Sequence, residues 1–248
     1  MRKRIMIEAE GDMMTGFELF GKAHLIWLAI SIICIALIYV LNRRLDERAR
    51  LRLSWALAWM TLLSHLAESG FRIQEGSYSI YTLPLHICAL TSYLVFIHRL
   101  RPRRPLSEIL FCPGIAGALA ALLAPDWTYY PPFSFMSAIG FIAHIAIILY
   151  ILQAIWSRLI TPSIKRAYIP VQFLAVYALI MIPFDRHFNV NYGFLNDPSP
   201  GSILVPLAER FGYGLGYYVG YALLVLAGIL ISYALCALLT KLLRPSAS

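Results

Sequence analysis

Seven apolar runs dominate this 248-residue chain, at about 23–41, 51–68, 79–97, 107–124, 134–156, 167–184 and 212–240. An α-helix needs about 20 such residues to cross the hydrocarbon core of a bilayer. Inside that core the backbone N–H and C=O groups must be satisfied within the segment, so apolar runs of this length read as helices. The expectation is an all-α polytopic membrane protein, a seven-transmembrane-helix bundle. Composition agrees: 60% of residues are hydrophobic and 14% charged, whereas soluble domains carry about a quarter charged residues. Disorder, collagen, coiled coil and an ordinary cytosolic enzyme are thereby excluded.

The runs leave no room for a separate soluble domain. Residues 1–22 read as an N-terminal interfacial segment and 23–240 as the seven-helix domain. Its one long connection is an outer loop at 185–211, and 241–248 form a tail. The opening Met-Arg-Lys-Arg resembles the n-region of a signal peptide. Glu8, Glu10 and Asp12 then stand where an apolar core is needed, which argues against cleavage.

Cations set the orientation. Seven crossings place the connections after runs one, three and five, with the C-terminus, on one side. That side holds fourteen Lys and Arg and the other seven. The positive-inside rule makes the richer side cytoplasmic, so the N-terminus is expected outside and the C-terminus inside. The net charge of +8 then reads as orientation signal and contact with anionic headgroups, with no nucleic acid as partner.

Ionisable residues within spans are costly and mark sites. With this orientation five of the six histidines fall in or beside the outer half of the membrane; His98 is the exception. His24, His65 and His187 lie within a turn of the boundary, where capping a helix end or reaching interfacial water accounts for them. His86 and His144 lie deeper, about 10 Å and 15 Å in at 1.5 Å per residue. An imidazole at that depth needs a partner, because an unpaired polar group there costs several kcal/mol. The alternatives are a functional role and an interhelical hydrogen bond that holds the bundle together.

Local sequence points to a cavity. Pro84 precedes His86 by two residues and is expected to bend and open the first turns of span three, with Thr82 and His86 on one helical face. Ser137, Gly140 and His144 form a stripe that leaves small residues beside an imidazole. His65 and Glu68, three apart, can pair on one face. Asp185, Arg186 and His187 follow the outer end of span six, with Asn189, Asn191 and Tyr192 beyond. Gly114 and Gly117 read as a close-packing surface. The four cysteines, Cys34, Cys88, Cys112 and Cys236, lack CxxC spacing, which disfavours a disulfide framework or structural zinc. Cys88 and His86, two apart, diverge around a regular helix. The aromatics of Phe211–Tyr218 read as an interfacial belt.

Several stretches together resemble the YwaF-type family of bacterial integral membrane proteins, which is itself similar to vertebrate transmembrane protein 164. They are Phe-Glu-Leu-Phe-Gly-Lys-Ala-His (17–24), Leu-Pro-Leu-His-Ile-Cys (83–88), Gly-Ile-Ala-Gly-Ala-Leu-Ala-Ala-Leu-Leu-Ala-Pro-Asp (114–126), the His144 span and Asn-Tyr-Gly-Phe-Leu-Asn-Asp-Pro (191–198). The vertebrate relative is understood as a phospholipid acyltransferase. A more distant resemblance runs to the androgen-induced membrane hydrolases, which cleave fatty acid esters with an intramembrane Thr and His. The resemblance implies His86 as the Pro-x-His histidine and His144 as the catalytic base. The vertebrate nucleophilic cysteine falls on Leu85, which cannot attack an ester, so Thr82 and Cys88 are the nucleophiles at hand.

Three functional readings follow. The first is an intramembrane lipid acyltransferase or lipid esterase open to the outer leaflet. It uses His144 as base, His86 as second base or oxyanion stabiliser, and Thr82, Cys88 or water as nucleophile. Asn191 and Tyr192 would bind substrate, as would His65, Glu68 and Asn189. The second is a non-catalytic protein that binds or transports a lipid or small metabolite in the same cavity. The third is a zinc hydrolase using His65, Glu68, His86 and His144. That set resembles the ligands of the seven-span ceramidase and adiponectin-receptor type, which place two histidines on the last span, whereas 212–240 here holds no His, Asp or Glu. No metal or other cofactor is expected. The expected partners are membrane lipids with an acyl-chain or small-molecule ligand, in the cell membrane; the oligomeric state is left open.

Overall fold

The computed structural model describes residues 16–242. Within them the chain forms nine α-helices: α1 (Lys22–Arg44), α2 (Glu47–Gln74), α3 (Ile87–Leu100), α4 (Arg104–Ile109), α5 (Ile115–Leu123), α6 (Phe135–Trp156), α7 (Tyr168–Phe188), α8 (Leu204–Phe211) and α9 (Leu215–Leu242). No strand occurs among the described residues. Most of the expected 1–22 segment and of the expected tail lies outside the described residues. Phe17, which is described, is buried against the rings of His24 and Phe141.

Five stretches are long and apolar enough to cross a membrane, by length and composition: Lys22–Arg44, Arg104–Leu123, Phe135–Trp156, Ile164–Phe188 and Leu215–Leu238. The second and third apolar runs depart from that pattern. Run two becomes α2, whose 28 residues reach about 42 Å at 1.5 Å per residue, with charges at both ends. Run three yields a 14-residue α3, because residues 79–86 form turns instead of helix.

That last difference corrects an expectation. Pro84 does not bend a helix; the helix starts after it, with His86 as the N-cap at φ −61° and ψ 146°. Proline disfavours helical geometry in the residue before it and removes a donor. Thr82 and His86 therefore share no helical face. Two further differences are smaller. Asp185, Arg186 and His187 belong to the last turns of α7 and do not follow it. The connection between α7 and α9 also contains the short helix α8, packed on α9.

α6 is the centre of the bundle. It packs against α1, α2, α3 and α5, and 61% of its apolar window is buried, against 11% for α9. Small residues permit the close approaches. A Cβ at Gly114 would lie 3.2 Å from Thr91 Cγ2 and 3.4 Å from Ile151 Cδ1, so α3 and α6 close on the middle of run four there. Gly114 ends a π-helical turn, Leu110–Gly114, that contains Pro113; the wider turn accommodates a residue without an N–H.

At the basic end, Glu108 of α4 is fully buried. It accepts from the Arg166 guanidinium at 2.6 Å, from the Ser163 N–H at 3.2 Å and from the Tyr233 hydroxyl. This staple joins α4, the start of α7 and α9. His98 is sealed beside it, its Nε2–H donating to Ser107 Oγ at 3.0 Å while Nδ1 accepts from the Tyr150 hydroxyl at 2.8 Å.

Candidate functional site

The two deep imidazoles lie within electrostatic reach of the same two carboxylates. His86, at the start of α3, and His144, in α6, interact electrostatically with each other and both with Glu68 and Asp126. His65 completes the group, through Glu68, Arg72 and His144. Four of the five members were legible as ionisable residues of, or beside, apolar runs. Asp126 was named only as the last residue of a family motif. It sits in the connection between α5 and α6.

Each imidazole is held by one nitrogen, and the partners fix the tautomers. His144 Nδ1 lies 2.7 Å from the Gly140 carbonyl. A carbonyl only accepts, so Nδ1 bears the hydrogen and Nε2 presents its lone pair. His86 Nδ1 accepts from the Gly193 N–H at 3.3 Å, which leaves the hydrogen on Nε2. One ring thus offers an acceptor and the other a donor.

The small residues beside His144 serve a neighbour, the indole of Trp127. It stacks on the imidazole with centroids 5.0 Å apart and planes at 20°. A Cβ on Gly140 would stand 2.9 Å from Trp127 Cε2, so glycine is what lets the indole lie there. Glu68 is gripped by Arg72, whose Nη2 and Nε reach the same oxygen at 2.9 Å and 3.1 Å. Its other oxygen lies 3.7 Å from His65 Nδ1. His65 Nε2 is buried with no hydrogen-bond partner among the described residues.

His86 is positioned by a loop clamped from three directions. Gly193 has φ +65°, a left-handed geometry that costs glycine little, and turns its N–H toward His86. Its carbonyl accepts from the Tyr221 hydroxyl at 3.0 Å. Tyr217 donates to the Phe194 carbonyl at 2.7 Å, and Tyr218 to Asn196 Oδ1 at 2.6 Å. The ring of His86 lies against Tyr192 and Phe194, at centroid distances of 5.0 Å and 5.4 Å. The aromatics at the start of α9, expected as an interfacial belt, hold this loop.

The remaining expected site residues take other places. Thr82 is in a local turn, its hydroxyl donating to the Ser79 carbonyl at 3.0 Å and accepting from the Ser79 N–H at 2.9 Å. Cys88 Sγ faces α5, 3.5 Å from the place of a Cβ on Gly117. The Asn191 side chain is committed to its own loop: Oδ1 accepts from the N–H groups of Asn196 and Asp197, and Nδ2 donates to the Asp197 carbonyl. Asn189 ends α7 in the left-handed conformation, φ 57°. Tyr192 is buried and donates its hydroxyl to the Ile80 carbonyl. His24 bridges helix ends, Nδ1 accepting from the Phe20 N–H and Nε2–H donating to the Leu122 carbonyl. Among the described residues no group of three His, Cys, Asp or Glu is arranged to hold a metal ion.

A helical membrane protein is the class that the fold of the described residues defines. The family model described as the TMEM164 family matches residues 19–236, which is most of the chain. The chain belongs to that family. Comparison with curated proteins and with solved structures gave no match.

Proposed function

We propose that this protein is an intramembrane lipid acyltransferase or lipid esterase, working from a polar cavity open to the outer leaflet of the cell membrane. In this reading α2 and α3 also cross, which makes seven spans with the N-terminus outside and the C-terminus cytoplasmic. The observation that carries the chemistry is the opposite tautomers of His144 and His86. A lone pair on one imidazole and an N–H on its neighbour are what acyl transfer requires.

The step uses no protein nucleophile. The hydroxyl of a lysolipid, or of water, attacks the carbonyl carbon of a lipid ester while His144 Nε2 takes its proton. His86 Nε2–H donates to the oxyanion that forms. The carbon–oxygen bond to the departing lipid alcohol then breaks, and that oxygen takes the proton back from His144. A lysolipid acceptor gives transfer and water gives hydrolysis, so Leu85 at the vertebrate cysteine position is no obstacle. Membership of the family, and the looser resemblance to YwaF-type proteins and androgen-induced hydrolases, support acyl-ester chemistry.

Purified protein given fluorescent phospholipid and lysolipid tests this. His144→Ala is expected to lower transfer and hydrolysis by about 100-fold or more; undiminished turnover would remove the assignment. One observation favours a second reading, a non-catalytic lipid-binding or transport protein: the Thr82 hydroxyl is tied to Ser79 and the Cys88 thiol faces Gly117. Under that reading gently extracted protein holds an intact lipid in stoichiometric amount that never turns over, as mass spectrometry would show.

A further inference from the structure

At the basic end of the bundle, away from His86 and His144, Tyr39, Asn42, Arg43, Arg50 and Trp156 line a pocket of about 300 Å³. The end of α1, the start of α2 and the end of α6 form its walls. We infer that this pocket is an anion site for a phosphate group, that of a phospholipid headgroup in the adjoining leaflet or a free phosphate.

The argument rests on Asn42. Its residue is only 5% exposed. Its Oδ1 lies 3.0 Å from the Ser157 hydroxyl and 3.4 Å from the Gln153 amide nitrogen. With the amide oxygen toward these two groups, Nδ2 is the Asn42 atom left to the pocket and open to an added acceptor. The same Gln153 nitrogen donates to the Arg50 carbonyl at 3.2 Å, which pins the start of α2 against α6 and holds the Arg50 backbone at the pocket.

The charge around that amide is unbalanced. Neither Arg43 nor Arg50 forms an ion pair among the described residues. Asp46, between them in sequence, is occupied in capping α2, its carboxylate accepting from the Ala49 N–H at 2.7 Å. Arg43 lies over the Tyr39 ring, 5.8 Å from its centroid, and Tyr39 meets Trp156 edge-on at 5.1 Å. Two guanidiniums and an amide N–H suit the several oxygens of one phosphate. The aromatic wall suits the level at which lipid headgroups lie.

Two binding measurements on the purified, detergent-solubilised protein separate the sources. Native mass spectrometry reads retention of added phosphatidylglycerol, with diacylglycerol as the phosphate-free control, and equilibrium dialysis reads inorganic phosphate. The wild type is expected to retain phosphatidylglycerol over diacylglycerol. Arg43→Ala combined with Arg50→Ala is expected to lower that retention about tenfold or more. Asn42→Asp keeps the size and the acceptor toward Ser157 but sets a carboxylate oxygen where the donor was. It is expected to do the same without altering the cation count of the loops. Thermal unfolding checks that each variant is folded. Variant-sensitive phosphate binding with no lipid preference assigns the pocket to the free anion; lipid retention alone assigns it to a headgroup. Folded variants that bind both as the wild type does would overturn the inference.

Discussion

Gly193 does two jobs with one residue, presenting its N–H to His86 and its carbonyl to Tyr221. Its φ is +65°, and an added Cβ would stand 2.9 Å from both Cε1 and Oη of Tyr177. Gly193→Ala is therefore expected to cost about 1–2 kcal/mol in backbone strain, beyond what displacing Tyr177 adds. It should lower ester turnover at least tenfold; thermal unfolding and the fluorescent-lipid assay read the two effects. Gly140→Ala acts on the other imidazole, pushing Trp127 off His144, and is expected to lower turnover with a smaller loss of stability. His86 and His144 were legible in the sequence because a polar ring in an apolar run is costly and stands out. Their supports were not. Gly193 and Trp127 matter through a φ angle and a stacking distance, which no spacing rule reveals. Thr82 and Asn191 looked available because a side chain folded onto its own turn has the same letters as one facing a cavity.

Elements were legible to the extent that their backbone is satisfied within themselves. Runs one, five and six became α1, α6 and α7 within a few residues of the expected bounds, since apolar helices need nothing from elsewhere. Run three did not, and the reason is non-local. The non-helical stretch before α3 leaves carbonyls that distant tyrosines satisfy: Tyr192 reaches that of Ile80, and Tyr177 that of Leu85 at 2.9 Å. Irregular backbone is tolerated at this depth only where protein covers it, and no local pattern announces the cover. The staple at Glu108 is similarly assembled from afar, with Arg166 and Tyr233 brought to it by α7 and α9. Its carboxylate is fully buried while the Arg166 side chain is 27% exposed. Removing one partner of a buried pair costs about 3–5 kcal/mol, and the exposed guanidinium recovers some of that in water. Glu108→Ala is expected to cost about 2–3 kcal/mol. Tyr233→Phe, which removes one hydrogen bond between membrane helices, is expected to cost about 0.6 kcal/mol. Thermal unfolding in one detergent would rank the two.

The whole molecule is asymmetric about its mid-plane. The histidine group lies toward the end that holds the α2–α3 and α5–α6 turns, while Arg43, Arg50, Arg101 and Arg166 lie toward the other. α2 decides the count of crossings. It is too rich in charge to qualify by apolarity alone, yet it packs along α6, which shields one of its faces from lipid. A helix so shielded can cross with fewer apolar residues than an isolated one, because only its outer stripe needs to match the hydrocarbon. If α2 and α3 both cross, the turn at Ser77 and the turn at Arg101 are on opposite sides, and the positive-inside rule makes the Arg101 side cytoplasmic. Starting from a variant with its four native cysteines replaced, Ser77→Cys is expected to react with an impermeant maleimide in intact cells. Arg101→Cys is expected to react only after permeabilisation, and a fluorescent protein fused to the C-terminus should glow from the cytoplasm. Labelling of both positions from the same side would remove a crossing between them. Labelling of Arg101→Cys alone in intact cells would invert the bundle and place the histidines at the cytoplasmic leaflet.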